Sequence, residues 1–171
     1  MNSFSPSDPD RHAIWEMLVA RDILAFVAAD WNLVAEDFLA DEFLGVDARR
    51  SANPDSWRLA YPTLALYRAE WLRQAIDFQS AHAEADLTAA IHALTTLRDI
   101  EIHGERAVAH KKFDGPLKMR DGVQHLAWQT LYHCRKVRGV WKITGFTGYL
   151  PNPMGGRAED GPGRTALQLE S

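Results

Sequence analysis

Asp22 is the ionisable residue whose position in this sequence is hardest to explain as ordinary surface. It falls between Leu18, Val19 and Phe26, on the apolar side of a predicted helix. A carboxylate among apolar neighbours needs a partner or a raised pKa. Asp22 is therefore a candidate acid or base. An ion pair with an arginine, or a place at the rim of a pocket, explains it equally well.

His92 and Asp47 are the other two candidates for acid–base chemistry. His92 comes at the start of an apolar run that we predict as a strand, and an imidazole suits proton transfer near neutral pH. The alternative for His92 is a bond to a backbone group at the end of the sheet. Asp47 ends a short apolar strand, where a solvated turn residue is the alternative to a catalytic carboxylate.

A ligand-binding wall is predicted on the run from Val123 to Val137, which alternates in polarity. Alternation places one apolar set on a single face of this strand: Leu126, Trp128, Thr130, Tyr132 and Cys134. This face should turn towards the helices. There Trp128, Thr130 and Tyr132, together with Phe26 from the first helix, would line a site for a flat apolar ligand. Plain core packing is the alternative.

The sequence offers no recognisable metal or cofactor motif. It has seven histidines and one cysteine, Cys134, without the spacing of a zinc site. It also lacks a glycine-rich phosphate loop and the serine elbow of hydrolases. We therefore expect no metal and no cofactor.

Composition limits the partners. The 171 residues carry a formal charge of -4, and scattered basic residues argue against nucleic acid or an anionic membrane as partner. No apolar run approaches the ~20 residues that span a bilayer. The polar beginning of the chain is unlike a signal peptide, so we expect a cytoplasmic protein. The organisation predicted is a polar leader at 1–10, one domain at 11–150 and a Gly/Pro-rich tail at 151–171.

The predicted elements change type halfway along the chain. Helical spacing covers 11–29 and 30–39, a short strand covers 43–47, and a long helix ends near Ser80. Strands follow at 91–102, 105–113, 123–137 and 140–149, and the last three should form an antiparallel meander. This order indicates an α+β fold whose strongly curved sheet closes over the helices and leaves a cone-shaped hollow.

Two stretches resemble nuclear transport factor 2-like proteins. Gly139-Val140-Trp141-Lys142-Ile143 is similar to the closing hairpin of that family, and Ala29-Asp30-Trp31 followed by Phe38 is similar to its opening. The likeness covers about 10–150. It implies a cone-shaped sheet, an apolar pocket into which His92 points, and a homodimer formed through the outer face of the sheet. The family includes isomerases, dehydratases and pure binding modules, so fold alone does not give function.

Within that family the SnoaL-like and scytalone-dehydratase-like branches look nearest, but their catalytic residues do not carry over. The helix pair of a scytalone dehydratase falls on Phe26 and Val27, and its Ser/Asn pair falls on Trp128 and Thr130. Only His92 matches. The Arg–Asp pair of epoxide hydrolases is not met either, because Arg98 and Asp99 are adjacent and alternation sends them to opposite faces.

Two function classes follow. The first is a lyase or isomerase without a cofactor that acts on a small apolar or aromatic molecule, with His92 as acid or base and Asp22 or Asp47 as its partner. The second is a non-catalytic binding module or accessory subunit of the same fold. The enzyme with a His92 base requires His92 and a carboxylate to meet within ~3 Å, or through one water.

Overall fold

The computed structural model describes residues 1–82 and 86–155. Most of the predicted tail, residues 156–171, lies outside the described residues. No helix within these two ranges is long and apolar enough to cross a membrane.

The chain begins with one helical rod in three parts. Helix α1 (Pro9–Trp15) passes into a π-helical turn (Glu16–Arg21) and then into α2 (Asp22–Ala28). The Asp8 carboxylate accepts from the backbone N–H of Arg11 at 3.3 Å and so caps the start of the rod. Ala29 ends it in the left-handed conformation, with φ of 50°.

Two further helices pack near this rod. Helix α3 (Leu64–Ala81) begins at Thr63, whose hydroxyl accepts from the backbone N–H of Leu66. Helix α4 (Leu87–Leu94) leads directly into the third strand of the sheet. The predicted helix at 30–39 is instead two 3₁₀ turns, Trp31–Leu33 and Ala35–Asp37.

Six strands form a single mixed sheet in the order β2-β1-β6-β5-β4-β3. Strands β1 and β6 are parallel, and all other neighbours are antiparallel. The strand bounds are β1 (Leu44–Asp47), β2 (Arg58–Tyr61), β3 (Thr95–His103), β4 (Arg106–Met119), β5 (Gly122–Val137) and β6 (Val140–Pro151). The predicted meander of the last three strands is confirmed.

Three details of the sequence prediction are wrong. The strand predicted from Ile91 begins at Thr95, because Asp86 caps a helix over the preceding residues by accepting from Ala89 N–H at 2.9 Å. The strand predicted to end at 113 continues to Met119, and it stays in register with β5 throughout. Strand β2 was not predicted; it is an exposed edge strand with no apolar alternation.

The core lies between the rod and the concave face of the curled sheet. Buried side chains from the rod (Ile14, Leu18, Ile23) meet buried side chains of the sheet (Leu97, Leu126, Cys134, Ile143). The inward face predicted for β5 is the face that is buried. The curved α+β architecture is therefore confirmed, with a sheet that curls without closing.

Gly145 holds the crossing between β1 and β6, and we expect it to tolerate no side chain. Its φ is +156°, and a Cβ would strike the Leu44 carbonyl oxygen. Gly145→Ala should lower the free energy of unfolding by roughly 2–4 kcal/mol, measured by urea denaturation. Gly104→Ala is the matched control: its φ is also positive, +57°, but no atom lies within 4 Å of the added carbon. A loss of about 1 kcal/mol is expected there. Equal losses in the two variants would contradict this reading.

Candidate functional site

A buried lysine joins the sheet to the helical rod. Lys111 on β4 is 1% exposed, and its Nζ donates to Asp22 Oδ2 at 2.6 Å and to the Leu18 carbonyl at 2.6 Å. The same Nζ lies 5.1 Å from the centroid of the Phe113 ring. A charge this deeply buried is tolerated only when it is paired and hydrogen-bonded. Asp22 therefore has the cationic partner that its position required, but that partner is a lysine.

The backbone of the rod is adapted to this contact. Leu18 and Asp22 sit within and just after the π-helical turn, which spans Glu16–Arg21. A π-type turn interrupts the regular i→i−4 ladder, and such turns are frequent at functional sites. Here the carbonyl that bonds Lys111 belongs to this irregular turn.

The second carboxylate oxygen of Asp22 has no hydrogen-bond partner in the described part of the chain. The Asp22 side chain is 26% exposed, whereas Lys111 is sealed. The ion pair is thus asymmetric: one oxygen is held by the lysine, and the other belongs to the exposed side of the carboxylate.

Three tyrosine rings converge on Phe146 of β6. The centroid of the Phe146 ring lies 4.9 Å from that of Tyr67, 5.9 Å from that of Tyr61 and 6.1 Å from that of Tyr132. Tyr67 comes from α3, Tyr61 from β2 and Tyr132 from β5. The fourth tyrosine, Tyr149, donates its hydroxyl to Gln74 Oε1 on α3 at 2.9 Å. All four tyrosines of the protein therefore lie between α3 and the sheet.

The hydroxyls of Tyr67 and Tyr132 differ from that of Tyr149. Those of Tyr67 and Tyr132 form no hydrogen bond within residues 1–82 and 86–155. In the same ranges His82 Nε2 is the one fully buried side-chain polar atom that lacks a partner. The two hydroxyls are therefore not fully buried, and both side chains are half-buried. We call the space at these two hydroxyls the tyrosine recess.

The electrostatics of the tyrosine recess follow from its depth and from Asp22. Burial raises the pKa of Tyr67 and of Tyr132 well above the usual value, and the Asp22 charge raises both further. Burial also raises the pKa of Tyr149 to about 12. The influence of Asp22 on the pKa of Tyr67 and of Tyr132 shows that carboxylate and phenols share one neighbourhood. At neutral pH the phenols are hydrogen-bond donors.

The predicted wall of β5 is partly assembled around this recess. Thr130 is 8% exposed and is paired in register with Lys111. Its hydroxyl has no partner among the residues described. Trp128 lies beyond it, with its ring 5.0 Å from that of Phe113 and the guanidinium carbon of Arg50 5.3 Å from its centroid. Thr130, Tyr132 and Asp22 are thus brought together. Trp128 is the inward-facing residue of β5 that precedes Thr130.

Phe26 and Asp47 lie elsewhere. Phe26 packs between α2 and α3, with its ring 5.4 Å from that of Trp71 and 5.3 Å from that of Phe78. The Asp47 carboxylate accepts from the backbone N–H of Arg49 at 2.7 Å, which is the turn interaction that the sequence left open as an alternative. Phe26 has no polar group to offer, and Asp47 forms no hydrogen bond or ion pair with Lys111 or Asp22.

His92 is not on a strand, and the predicted meeting with a carboxylate does not occur. It lies in the last turn of α4 and stacks on Trp15, with centroids 6.3 Å apart and planes at 19°. No carboxylate among the described residues bonds its imidazole. The sequence prediction failed here because the helix capped by Asp86 takes up residues that were assigned to the strand.

Sequence reasoning missed Lys111 and Tyr67. Alternation along β4 puts Ala107, Ala109 and Lys111 on one face, which marks Lys111 as an inward residue once that strand is placed. Tyr67 falls at an apolar spacing with Leu64 and Trp71 on the long helix, and this pattern does not distinguish a hydroxyl without a partner from one at the surface. No three His, Cys, Asp or Glu side chains of the described ranges converge as metal ligands would.

Comparison with known proteins supports the fold. No protein-family model and no curated protein matches the sequence. A nuclear transport factor 2-like superfamily protein from Salmonella enterica serovar Typhimurium superposes with a TM-score of 0.53 at 15% identity, covering 98% of this chain and 100% of that chain. A protein of the same fold and of unknown function from Pseudomonas putida gives 0.55 at 15% identity, covering 87% and 90%. One from Novosphingobium aromaticivorans, with a cystatin-like fold, gives 0.51 at 13% identity, covering 84% and 82%. The homodimer and the SnoaL-like branch stay predictions.

The four tyrosines predict a delayed ionisation and an alkaline unfolding. Because their pKa values are raised in the folded protein, phenolate absorbance should stay low at ~pH 11, where the urea-unfolded chain is mostly ionised. Above ~pH 10 the unfolded state binds fewer protons than the folded state, so the free energy of unfolding falls as pH rises. A normal titration of all four phenols in the folded protein would contradict an enclosed recess.

The Lys111 contacts predict a position-specific loss of stability. Lys111→Met keeps the bulk but removes the donor to Leu18 and Asp22, and should cost about 1–3 kcal/mol in urea denaturation. Lys112→Met removes the same charge from the opposite face of β4 and should change stability by less than about 0.5 kcal/mol. Equal effects would mean that the buried contacts contribute nothing.

Proposed function

We propose that this chain, which has the nuclear transport factor 2-like fold, is an enzyme without a cofactor that moves a proton on a small, mostly apolar molecule, as a lyase or isomerase does. The observation that carries the proposal is the grouping at the tyrosine recess. There the ion-paired carboxylate of Asp22 lies near two phenol hydroxyls that have no partner in the described part of the chain.

Asp22 is the proton acceptor in this proposal. Lys111 holds one carboxylate oxygen at 2.6 Å and thereby fixes the orientation of the group. The other oxygen is left to take a proton from carbon or oxygen of a bound ligand. Lys111 is sealed from solvent and acts through Asp22, so it is a positioning residue.

Tyr67 and Tyr132 are the hydrogen-bond donors. Their raised pKa values keep both hydroxyls protonated at neutral pH. Two donors aimed at one ligand oxygen stabilise the negative charge that develops there when a neighbouring carbon loses its proton. A ligand with a carbonyl or enol oxygen beside an acidic C–H bond meets both requirements.

The side chains around the two hydroxyls determine which apolar body the ligand can have. The half-buried rings of Tyr67 and Tyr132 give an apolar surface suited to an aromatic or alicyclic body. The Thr130 hydroxyl adds one further polar contact. Small apolar molecules with a single oxygenated end are the substrates that this arrangement favours.

A binding module without turnover is the second candidate. It is favoured by the completeness of the Lys111 contacts, since a carboxylate already matched by a buried ammonium also serves as a structural ion pair. In that case the recess holds a ligand but transfers no proton.

Proton exchange separates the two candidates. We expect the protein to accelerate incorporation of deuterium from heavy water next to the carbonyl of small aromatic ketones, followed by NMR. Asp22→Asn should slow this exchange by ~10²–10⁴-fold, the usual contribution of a general base. Tyr132→Phe should slow it by ~10–10²-fold through loss of one donor.

The control is Asp77→Asn, an exposed carboxylate on α3 that pairs with Arg73; its exchange rate should equal that of the unaltered protein. Thermal denaturation of each variant verifies folding. Ketone binding detected by tryptophan fluorescence without any exchange would support the binding module. Unchanged exchange in Asp22→Asn would overturn the assignment of the base.

A further inference from the structure

A turn with two arginines follows β1 and lies beside the last part of β6. Arg49 and Arg50 both have a left-handed backbone conformation, with φ of 53° and 57°, and both residues are exposed. The backbone N–H of Arg50 donates to the Tyr149 carbonyl at 2.8 Å. Tyr149 is itself left-handed, with φ of 56°. Three of the five non-glycine residues with positive φ in the described ranges therefore meet at one place.

The contacts of this turn hold it in an unfavourable conformation. A left-handed backbone is disfavoured for a residue with a Cβ, and strain of this kind is concentrated at functional sites. The N–H of Ala48 donates to the Gly148 carbonyl at 2.9 Å, and the Asp47 carboxylate accepts from the N–H of Arg49 at 2.7 Å. These bonds fix the backbone from which the Arg50 side chain extends.

The guanidinium of Arg50 lies over Trp128, an inward-facing residue of β5. Its carbon is 5.3 Å from the centroid of the Trp128 ring. The same guanidinium forms no hydrogen bond or ion pair with any residue that the structure describes. A cation–π contact holds a guanidinium in place while its planar set of N–H groups can still donate. Arg50 is thus a positioned cation whose donors are available.

One row of side chains connects Arg50 to the tyrosine recess. Trp128, Thr130 and Tyr132 follow one another on the same face of β5. A strand rises by about 3.3 Å per residue, so the first and last of these residues are roughly 13 Å apart. Between them, the Thr130 hydroxyl oxygen would lie 3.4 Å from a Cβ added to Gly148, the residue that holds the start of the arginine turn.

We propose that Arg50 binds a carboxylate at one end of a ligand whose oxygen at the other end is held by Tyr67 and Tyr132. The body of the ligand would lie along Trp128 and Thr130. This inference names the substrate class of the proposed function, and it rests on that function for the position of the ligand's other end. The substrate class is an aromatic or alicyclic keto acid. Its carbonyl and carboxylate are separated by on the order of 10 Å, a length that follows from the strand spacing.

The test uses a compound that matches this length, a biphenyl with an acetyl group at one end and a carboxylate at the other. The full chain is titrated with this compound and with the matching carboxamide, and binding is followed by calorimetry at low ionic strength. We expect the carboxylate to bind about three- to tenfold more tightly, a modest factor because Arg50 is exposed to solvent. The preference should shrink as salt is added.

Variants of the turn locate the effect. Arg50→Gln should remove the preference for the carboxylate, and Arg50→Lys should keep only part of it, because lysine retains the charge but loses the planar fork. Arg49→Gln is the matched control and should keep the preference. Arg49 has the same charge and the same backbone conformation, but its guanidinium lies over no aromatic ring among the described residues. Thermal denaturation of each variant verifies folding.

Two results would overturn the inference. They are equal affinity of the unaltered protein for carboxylate and carboxamide, and an equal loss of preference in Arg49→Gln and Arg50→Gln. Deuterium exchange of the acetyl group, measured on the same two compounds, separates this inference from the proposed function. Exchange of both compounds without a preference would overturn the role of Arg50 and leave proton transfer standing. A preference that depends on Arg50, without exchange, would support Arg50 and count against proton transfer.

Discussion

The ammonium of Lys111 is the point on which the interior of this protein depends. It rises from the concave face of β4 and reaches both the backbone of Leu18 and the carboxylate of Asp22 at 2.6 Å. A buried charge has few tolerable environments, so this contact requires the sheet to curl far enough for the rod to meet it. It also decides which carboxylate oxygen faces the hollow. The packing of the core and the orientation of the candidate base are therefore one arrangement.

The hollow beside this pair is apolar in surface and polar at a few points. Aromatic rings from α3, β2, β5 and β6 meet around Phe146, yet the phenol hydroxyls of Tyr61, Tyr67 and Tyr132 have no hydrogen-bond partner among the described residues. These hydroxyls are not fully buried, so water can bond them until a ligand takes its place. Oxygens left open in a recess are what a ligand with its own polar end satisfies. This combination favours a small-molecule site over simple core packing.

The structure separates the ionisable groups that the sequence first suggested. Asp22 is paired with Lys111, while His92 stacks on Trp15 and bonds no carboxylate in the described part of the chain. In the function proposed above, proton transfer therefore falls to the carboxylate and the phenols.

The sequence alone determined the fold class, the meander of the last three strands, the inward face of β5 and the unusual position of Asp22. Each rests on local periodicity or on a residue out of keeping with its neighbours, and both are visible along the chain. Tertiary structure alone decided the partner of Asp22, the helix that removes His92 from the sheet, and the meeting of tyrosines from four elements. Lys111 lies 89 residues from Asp22. Such contacts depend on how the sheet curls and on the position of each helix over it, neither of which local periodicity specifies.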